Sequence, residues 1–407
     1  STPSAGAVEG AVAAALVKAL YSDAAPALGV DLAVALVAGA PAYANLASFF
    51  FAAHQLGRDK IALTVSWQAL AMLAVLGLAL VPRGPFGLWS TVLLVIAARV
   101  AWVGVITLRA VVWRNNFPAS GRARLASKLA ALNALLMAAS SALLGWLLGH
   151  APAGIPWLLV TAGLIGLLGA WGCRRMRLRA HALLRDSEAS IRKSSELRPS
   201  FASFRGVLAA DPLYRRYMQS MFLFGSGNLM LPAPLLLVMD ERLALSPFVQ
   251  VLLMASLPLL VLPFAIMLWA RFYDRVHIVE FRAVHAWSFV LASAAFLIGC
   301  ISGQFPWLLA GSVLLGISYA GGQLGWNLGH NDFARAEQAA LYMGVHVTLT
   351  GMRGLAAPLI GVSLYRLLET TYPGRGHLAL ILPLLLNISG ALSFISLRKL
   401  TTRSSRR

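Results

Sequence analysis

Long apolar runs separated by short polar ones make up most of this chain. A helix needs about 20 mostly apolar residues to cross the hydrocarbon of a bilayer. Windows of that kind recur twelve times, over roughly 6–27, 31–56, 61–81, 86–113, 124–149, 153–173, 214–239, 246–271, 278–301, 304–329, 338–366 and 376–398. The first two are separated only by the turn-forming run Pro26–Gly29 and carry Asp23 and Asp31 at their facing ends. One stretch, Arg174–Arg216, has a soluble-like mixture of Arg, Ser and Glu, and it divides the chain near its middle.

Composition agrees with this pattern. Hydrophobic residues make up 59% of the 407 and charged residues 12%, against roughly 25% charged in a soluble domain. Lipid must therefore cover much of the surface. The net charge of +19 would raise nucleic acid as a partner in a soluble protein. Here the cations fall between apolar runs, so a nucleic-acid partner is not expected. Eleven of the 34 Lys and Arg lie in Arg174–Arg216 and five more in Arg398–Arg407. Arg58, Lys60, Arg114, Arg122, Arg124, Lys128, Arg271, Arg275, Arg282 and Arg335 share that face. The other face offers Arg83, Arg242 and Arg375, with Asp23, Asp240, Glu241 and Glu369. The bias toward positive charge on the inner side of a membrane places both termini in the cytoplasm. Anionic lipid is the expected partner of the basic linker, with a plain charged tether as the other reading. No cleavable leader is apparent, and the first span would serve as the insertion signal. Cys173 and Cys300 fall on opposite faces, which argues against a disulfide.

An internal repeat divides the twelve spans. The loop His54–Lys60 matches Arg271–His277 when Gly57 is laid on Asp274 and Arg58 on Arg275, an offset of 217. The loop Arg114–Pro118 matches His330–Ala334 when Asn116 is laid on Asp332 and Phe117 on Phe333, an offset of 216. Two separate loops giving nearly one offset imply six helices repeated in parallel, a known transporter plan. The expected organisation is an all-α integral membrane protein with twelve transmembrane helices in two six-helix bundles. The bundles cover 1–173 and 214–398, joined by a basic linker over 174–213 and followed by a basic tail over 399–407.

With twelve spans, a basic central linker and the Asp274-Arg275 loop after the eighth, the chain resembles the major facilitator superfamily. Glu9-Gly10, Trp326–Phe333 and Tyr342–Gly344 resemble a bacterial branch of it. The family's loop after the second span has the form Gly-x-x-x-Asp-Arg. The second copy here keeps Asp274 and Arg275, whereas the first has Gly57 in the Asp position and Asp59 displaced by two. The resemblance implies two bundles rocking about a central cavity, location in a bacterial inner membrane, and a gating role for Asp274, Arg275, Arg58 and Asp59. The degenerate first loop also leaves room for a transporter-like fold acting as a nontransporting subunit or sensor of a larger membrane complex.

Charges inside spans are costly, about 2.5–3.5 kcal/mol at a helix centre, and are candidates for function. Arg99 lies thirteen residues into the fourth span and Arg353 fifteen into the eleventh. Either could anchor an anion through its guanidinium fork or complete an interhelix pair. Lys18 reads as central in the first span, with Glu9 and Asp23 toward its opposite ends. Three buried cations against few buried acids favour an anionic or zwitterionic solute. Glu9 is a candidate for proton exchange, and so is His346, two turns from Arg353 on the same face. Asn228, among Gly225, Gly227 and Pro232, could shape the pocket, as could Gln323 and Asn327 beside Gly321 and Gly322. No phosphate loop, metal-ligand spacing or catalytic constellation is present, so no cofactor, metal or enzymatic activity is expected.

Overall fold

The computed structural model describes residues 6, 8–116, 119–193, 201–334 and 339–404. Phe117, Arg335 and the last residues of the basic tail fall outside them. The described chain is a succession of helices crossing between two ends. The first bundle holds α1 (Gly10–Tyr21), α2 (Ala27–Ala47, continued by a turn of helix over Ser48–His54), α3 (Lys60–Leu78), α4 (Pro85–Asn116), α5 (Ala119–His150) and α6 (Ile155–Cys173). The linker contributes α7 (His181–Lys193) and α8 (Phe201–Ala210). The second bundle holds α9 (Pro212–Arg242), α10 (Pro247–Tyr273), α11 (Ile278–Ser302), α12 (Phe305–Leu328), α13 (Ala339–Thr371) and α14 (Ile381–Ser404). Among the described residues, eleven helices are long and apolar enough to cross a membrane, and the shorter α1 makes a twelfth apolar helix.

Local chemistry sets the helix ends. Asp59 caps α3 by accepting from the amides of Ile61 and Ala62, and Asp211 caps α9 by accepting from Tyr214. Proline begins α9 and α10, where its missing N–H costs nothing. Gly303 closes α11 at φ 70°. Two π-turns, Val238–Arg242 and Leu252–Ser256, bend the facing ends of α9 and α10.

The first helix differs from expectation. It closes at Tyr21, with Glu9 as its N-cap residue, rather than running to about residue 27. Lys18 therefore lies within one turn of the end opposite the basic face, not centrally. The linker, for which a lipid-facing segment and a plain charged tether are both open readings from sequence, carries two helices, and α14 continues through Lys399 to Ser404, taking in the start of the tail.

The bundles meet along two crossings, α2 against α13 and α5 against α10. A shift of six spans turns the first pair into the second, so the interface carries the duplication written in the loops. Close approach at the α2–α13 crossing depends on small residues. A Cβ on Gly39 would strike the Gly354 carbonyl, and one on Gly351 would strike Leu46. At the offset of 216, Gly39 and Gly354 correspond to Ala255 and Ala138, which are also small and buried. Replacing Gly39 by Val is expected to destabilise the folded protein by about 1–3 kcal/mol, the usual cost of overpacking. Gly29→Ala, whose new Cβ would meet only Leu88 at 3.6 Å, should change stability by no more than about 0.5 kcal/mol. Thermal unfolding of the purified variants checks both.

Candidate functional site

Four bundle helices converge on one ionic network at the end away from the basic face. Arg366 of α13 grips Asp31 of α2 with two guanidinium nitrogens, one contact being 2.6 Å. The same guanidinium reaches Glu241 of α9 at 2.6 and 2.8 Å. Lys18 of α1 donates to Glu241 at 2.6 Å and lies 3.7 Å from Asp240. Tyr365 adds a hydrogen bond to Glu241 at 2.9 Å. Asp31 is 2% exposed and Lys18 8%, so these pairs are partly withdrawn from water, where an ion pair is screened far less than at a surface. Two cations and three carboxylates thus tie the first bundle to the second. Lys18, expected to touch substrate, belongs to this closure instead.

Halfway along α4, Arg99 donates through Nε to the Val8 carbonyl at 2.7 Å and pairs with the Glu9 carboxylate. Arg99 is therefore neutralised within its own bundle. Glu9 keeps a third of its side chain exposed.

The second bundle buries cations that lack such a partner. Arg353 is 5% exposed and donates to the Met221 carbonyl and to Thr350 Oγ1, the latter at 2.7 Å, while its Nε has no partner. The guanidinium lies against the bare backbone of Gly225, where a Cβ would displace it. Arg282 is 2% exposed and occupies the matching notch at Gly325. Its guanidinium approaches His285 Nδ1 at 3.2 Å and the Phe224 ring at 6.0 Å, and its Nε is unpartnered. His285 Nε2 faces the Ser318 carbonyl at 2.9 Å. That nitrogen must carry the proton, which leaves Nδ1 to accept from Arg282. His346, 1% exposed, meets Trp326 edge to face at 4.4 Å, with neither ring nitrogen hydrogen-bonded. No carboxylate lies within ion-pair distance of Arg353 or Arg282 among the described residues.

At the basic end the two loops behave differently. Gly57 takes φ 67°, a left-handed conformation that explains glycine where the family pattern has Asp. Its amide donates to Glu188 of α7 at 3.0 Å, and Lys60, fully buried, pairs with the same carboxylate and with the Gln55 carbonyl. The linker thus supplies the acid that the first loop lacks. Asp59 is occupied as a helix cap, and Arg58 contacts His54 at 2.8 Å. Asp274 and Arg275 are exposed and form no ion pair among the described residues. Instead, Asp332 accepts from the Ile278 amide at 2.7 Å and caps α11. Its repeat mate Asn116 holds the linker, donating to the Arg177 carbonyl at 2.9 Å and accepting from the Arg179 amide at 3.0 Å.

Of the remaining pocket candidates, Asn228 is half-buried with an unpartnered Oδ1. Gln323 and Asn327 stand exposed on one face of α12, joined by a 2.8 Å bond from Asn327 to the Gln323 carbonyl. Sequence reasoning missed Arg366, Asp31 and Glu241 as a set, because each sits near a predicted helix end where charge is ordinary. It counted Arg282 and Lys60 as loop cations, although both prove buried. Glu188 gave no signal, because its role depends on how the linker folds back.

The arrangement defines a class: two six-helix bundles, tied by ions at one end and each burying polar groups of its own. Solved structures share it. A D-xylose–proton symporter superposes with a TM-score of 0.71 at 12% identity, covering 97% of this chain and 94% of that one. A POT-family transporter, solved with a thioalcohol-conjugated peptide, gives 0.67 at 13%, covering 98% and 95%. The nucleoside transporter NupG gives 0.63 at 12%, covering 98% and 97%. The fold is the major facilitator fold, as the sequence resemblance implied. No protein-family model matches the sequence, and no curated protein matches it.

Removing one partner of a buried pair leaves the other charge uncompensated, typically at 3–5 kcal/mol. Glu188→Gln should therefore lower the thermal midpoint strongly. Combining it with Lys60→Met, which replaces the stranded cation with an apolar chain of similar length, should recover most of the loss. A double-mutant cycle read by thermal unfolding measures the coupling.

Proposed function

We propose that this protein is a secondary transporter that moves a small anionic or zwitterionic solute by alternating access, with proton coupling through Glu9. The observation that carries the reading is the pair of buried guanidiniums in the second bundle, Arg353 and Arg282, which have no carboxylate partner among the described residues. A buried cation without a counter-charge is costly, and a solute carboxylate or phosphate would relieve that cost bidentately. Arg99 no longer supports an anion site, because Glu9 already neutralises it. Arg353, with Thr350 beside it and α9 packed against its guanidinium, is the proposed anchor, and Gln323 and Asn327 of α12 remain candidates for the solute's polar contacts.

Glu9 suits coupling because its carboxylate pairs with a buried cation while a third of its side chain stays exposed. Protonation would free Arg99 and weaken the hold of α1 on α4. His346 is a second proton carrier on this reading. On this reading the network around Arg366 and Glu241 is the gate at the end away from the linker, with its ion pairs formed. The solved neighbours are a D-xylose–proton symporter, a nucleoside transporter and a transporter bound to a conjugated peptide, and each of those ligands belongs to its own protein. The proposed setting is a bacterial inner membrane with both termini in the cytoplasm.

The test is uptake into proteoliposomes with a panel of organic anions, zwitterions and neutral solutes. A charge-assisted hydrogen bond is worth about 1.5–3 kcal/mol, so Arg353→Ala should weaken solute binding roughly ten- to hundredfold. Glu9→Gln should abolish accumulation against a gradient while leaving solute counterflow intact. Transport confined to neutral solutes, or unaffected by Arg353→Ala, contradicts the anion reading.

A further inference from the structure

A cavity of about 610 Å³ lies at the basic end, outside the bundle interface. One wall is the first two turns of α3, with Asp59, Ile61, Ala62, Val65 and Ser66. The other is the end of α6 and the chain leading to α7, with Arg174, Met176, Arg177, Leu178 and His181. That size is within the usual range for a small-molecule site. None of the groups assigned to solute or proton movement lines it.

Its chemistry is divided. Arg174 and Arg177 are exposed cations, and His181 Nε2 is buried without a hydrogen-bond partner. The one carboxylate, Asp59, is committed to the amides of Ile61 and Ala62 at 2.8 and 3.0 Å. Val65 and Leu178 are buried apolar surfaces, and Met176 is 43% exposed. The site is also held in place: Asn116 fixes the backbone at Arg177 and Arg179, and Glu188 docks α7 on Lys60 and Gly57.

The position selects among anions. α3 and α6 both cross the membrane, and the cavity opens where they leave it. Trp171, 54% exposed with Arg175 stacked 4.5 Å over its ring, marks that level on α6. Leu183 of α7, two residues beyond His181 in the chain, stands 74% exposed. A soluble phosphate would use the cations and leave these apolar groups in water. A phospholipid uses both.

We propose that this cavity binds the headgroup of an anionic phospholipid, with its phosphate on Arg174, Arg177 and His181 and its upper chain carbons against Val65, Met176 and Leu178. The occupant clamps α7 against α3 and so stabilises the contact of Glu188 with the first loop. This site does not depend on which solute the bundles carry.

Native mass spectrometry of the full-length protein in detergent, titrated with phosphatidylglycerol or phosphatidylcholine, reads the binding directly. Each basic residue contributes about fivefold to attraction for anionic lipid, so phosphatidylglycerol should bind at least tenfold more tightly than phosphatidylcholine. Arg174→Ala with Arg177→Ala should weaken it roughly thirtyfold. Ala62→Phe, which fills the cavity without changing charge, should block it as well. Both sites are exposed, and an unchanged thermal midpoint without lipid verifies folding. Should Ala62→Phe fail to fold, the arginine pair alone decides. Equal binding of the two lipids, or full binding by either variant, overturns the proposal. Displacement of the lipid by millimolar inorganic phosphate also overturns it, in favour of a soluble anion.

Discussion

The bidentate grip of Arg366 on Asp31, extended through Glu241 to Lys18, is the constraint on which this structure depends. It joins α2 and α1 of the first bundle to α13 and α9 of the second, at the end away from the linker. Partial burial makes it stronger than a surface ion pair, yet its members keep up to about a third of their side chains in contact with water. Such a network can be rehydrated when it opens. A fully buried pair would lock the bundles, and a fully exposed one would contribute about 0–1 kcal/mol. Intermediate burial is what the proposed gate would require, because ligand binding can offset only a few kcal/mol between two states.

Charges in the interior separate into two kinds. Arg99 and Lys60 each have a carboxylate, from Glu9 and Glu188, and are balanced locally. Arg353 and Arg282 are held by carbonyl, hydroxyl and imidazole groups and by glycine notches that leave their guanidiniums against bare backbone. The first kind stabilises a conformer. The second kind, with no carboxylate partner among the described residues, is what the solute site proposed in the second bundle rests on. That asymmetry arises on a scaffold whose crossings, α2 with α13 and α5 with α10, still carry the duplication.

Much of the fold was legible because membrane spans and repeats are linear signals. Apolar windows placed eleven spans close to their observed limits, and two loop matches found the offset that the crossings reproduce. The first span was misjudged because Asp23 and Pro26 were read as interruptions near its end, whereas α1 had already stopped at Tyr21. That error moved Lys18 from the outer network to the centre. Pairings across hundreds of residues, such as Asp31 with Arg366 or Gly57 with Glu188, leave no trace in local pattern. Arg99 and Arg353 look equivalent in sequence, and only the position of Glu9 tells them apart.

The central claim is that ions hold the end away from the linker shut. Spin labels at Asp23→Cys in the first bundle and Tyr372→Cys in the second, with Cys173 and Cys300 replaced by Ser, report the gap across that end by pulsed dipolar spectroscopy. The account predicts one short distance population in the otherwise unaltered protein. Adding Arg366→Ala should bring in a second, longer population. An unchanged distribution in the Arg366→Ala protein would contradict it.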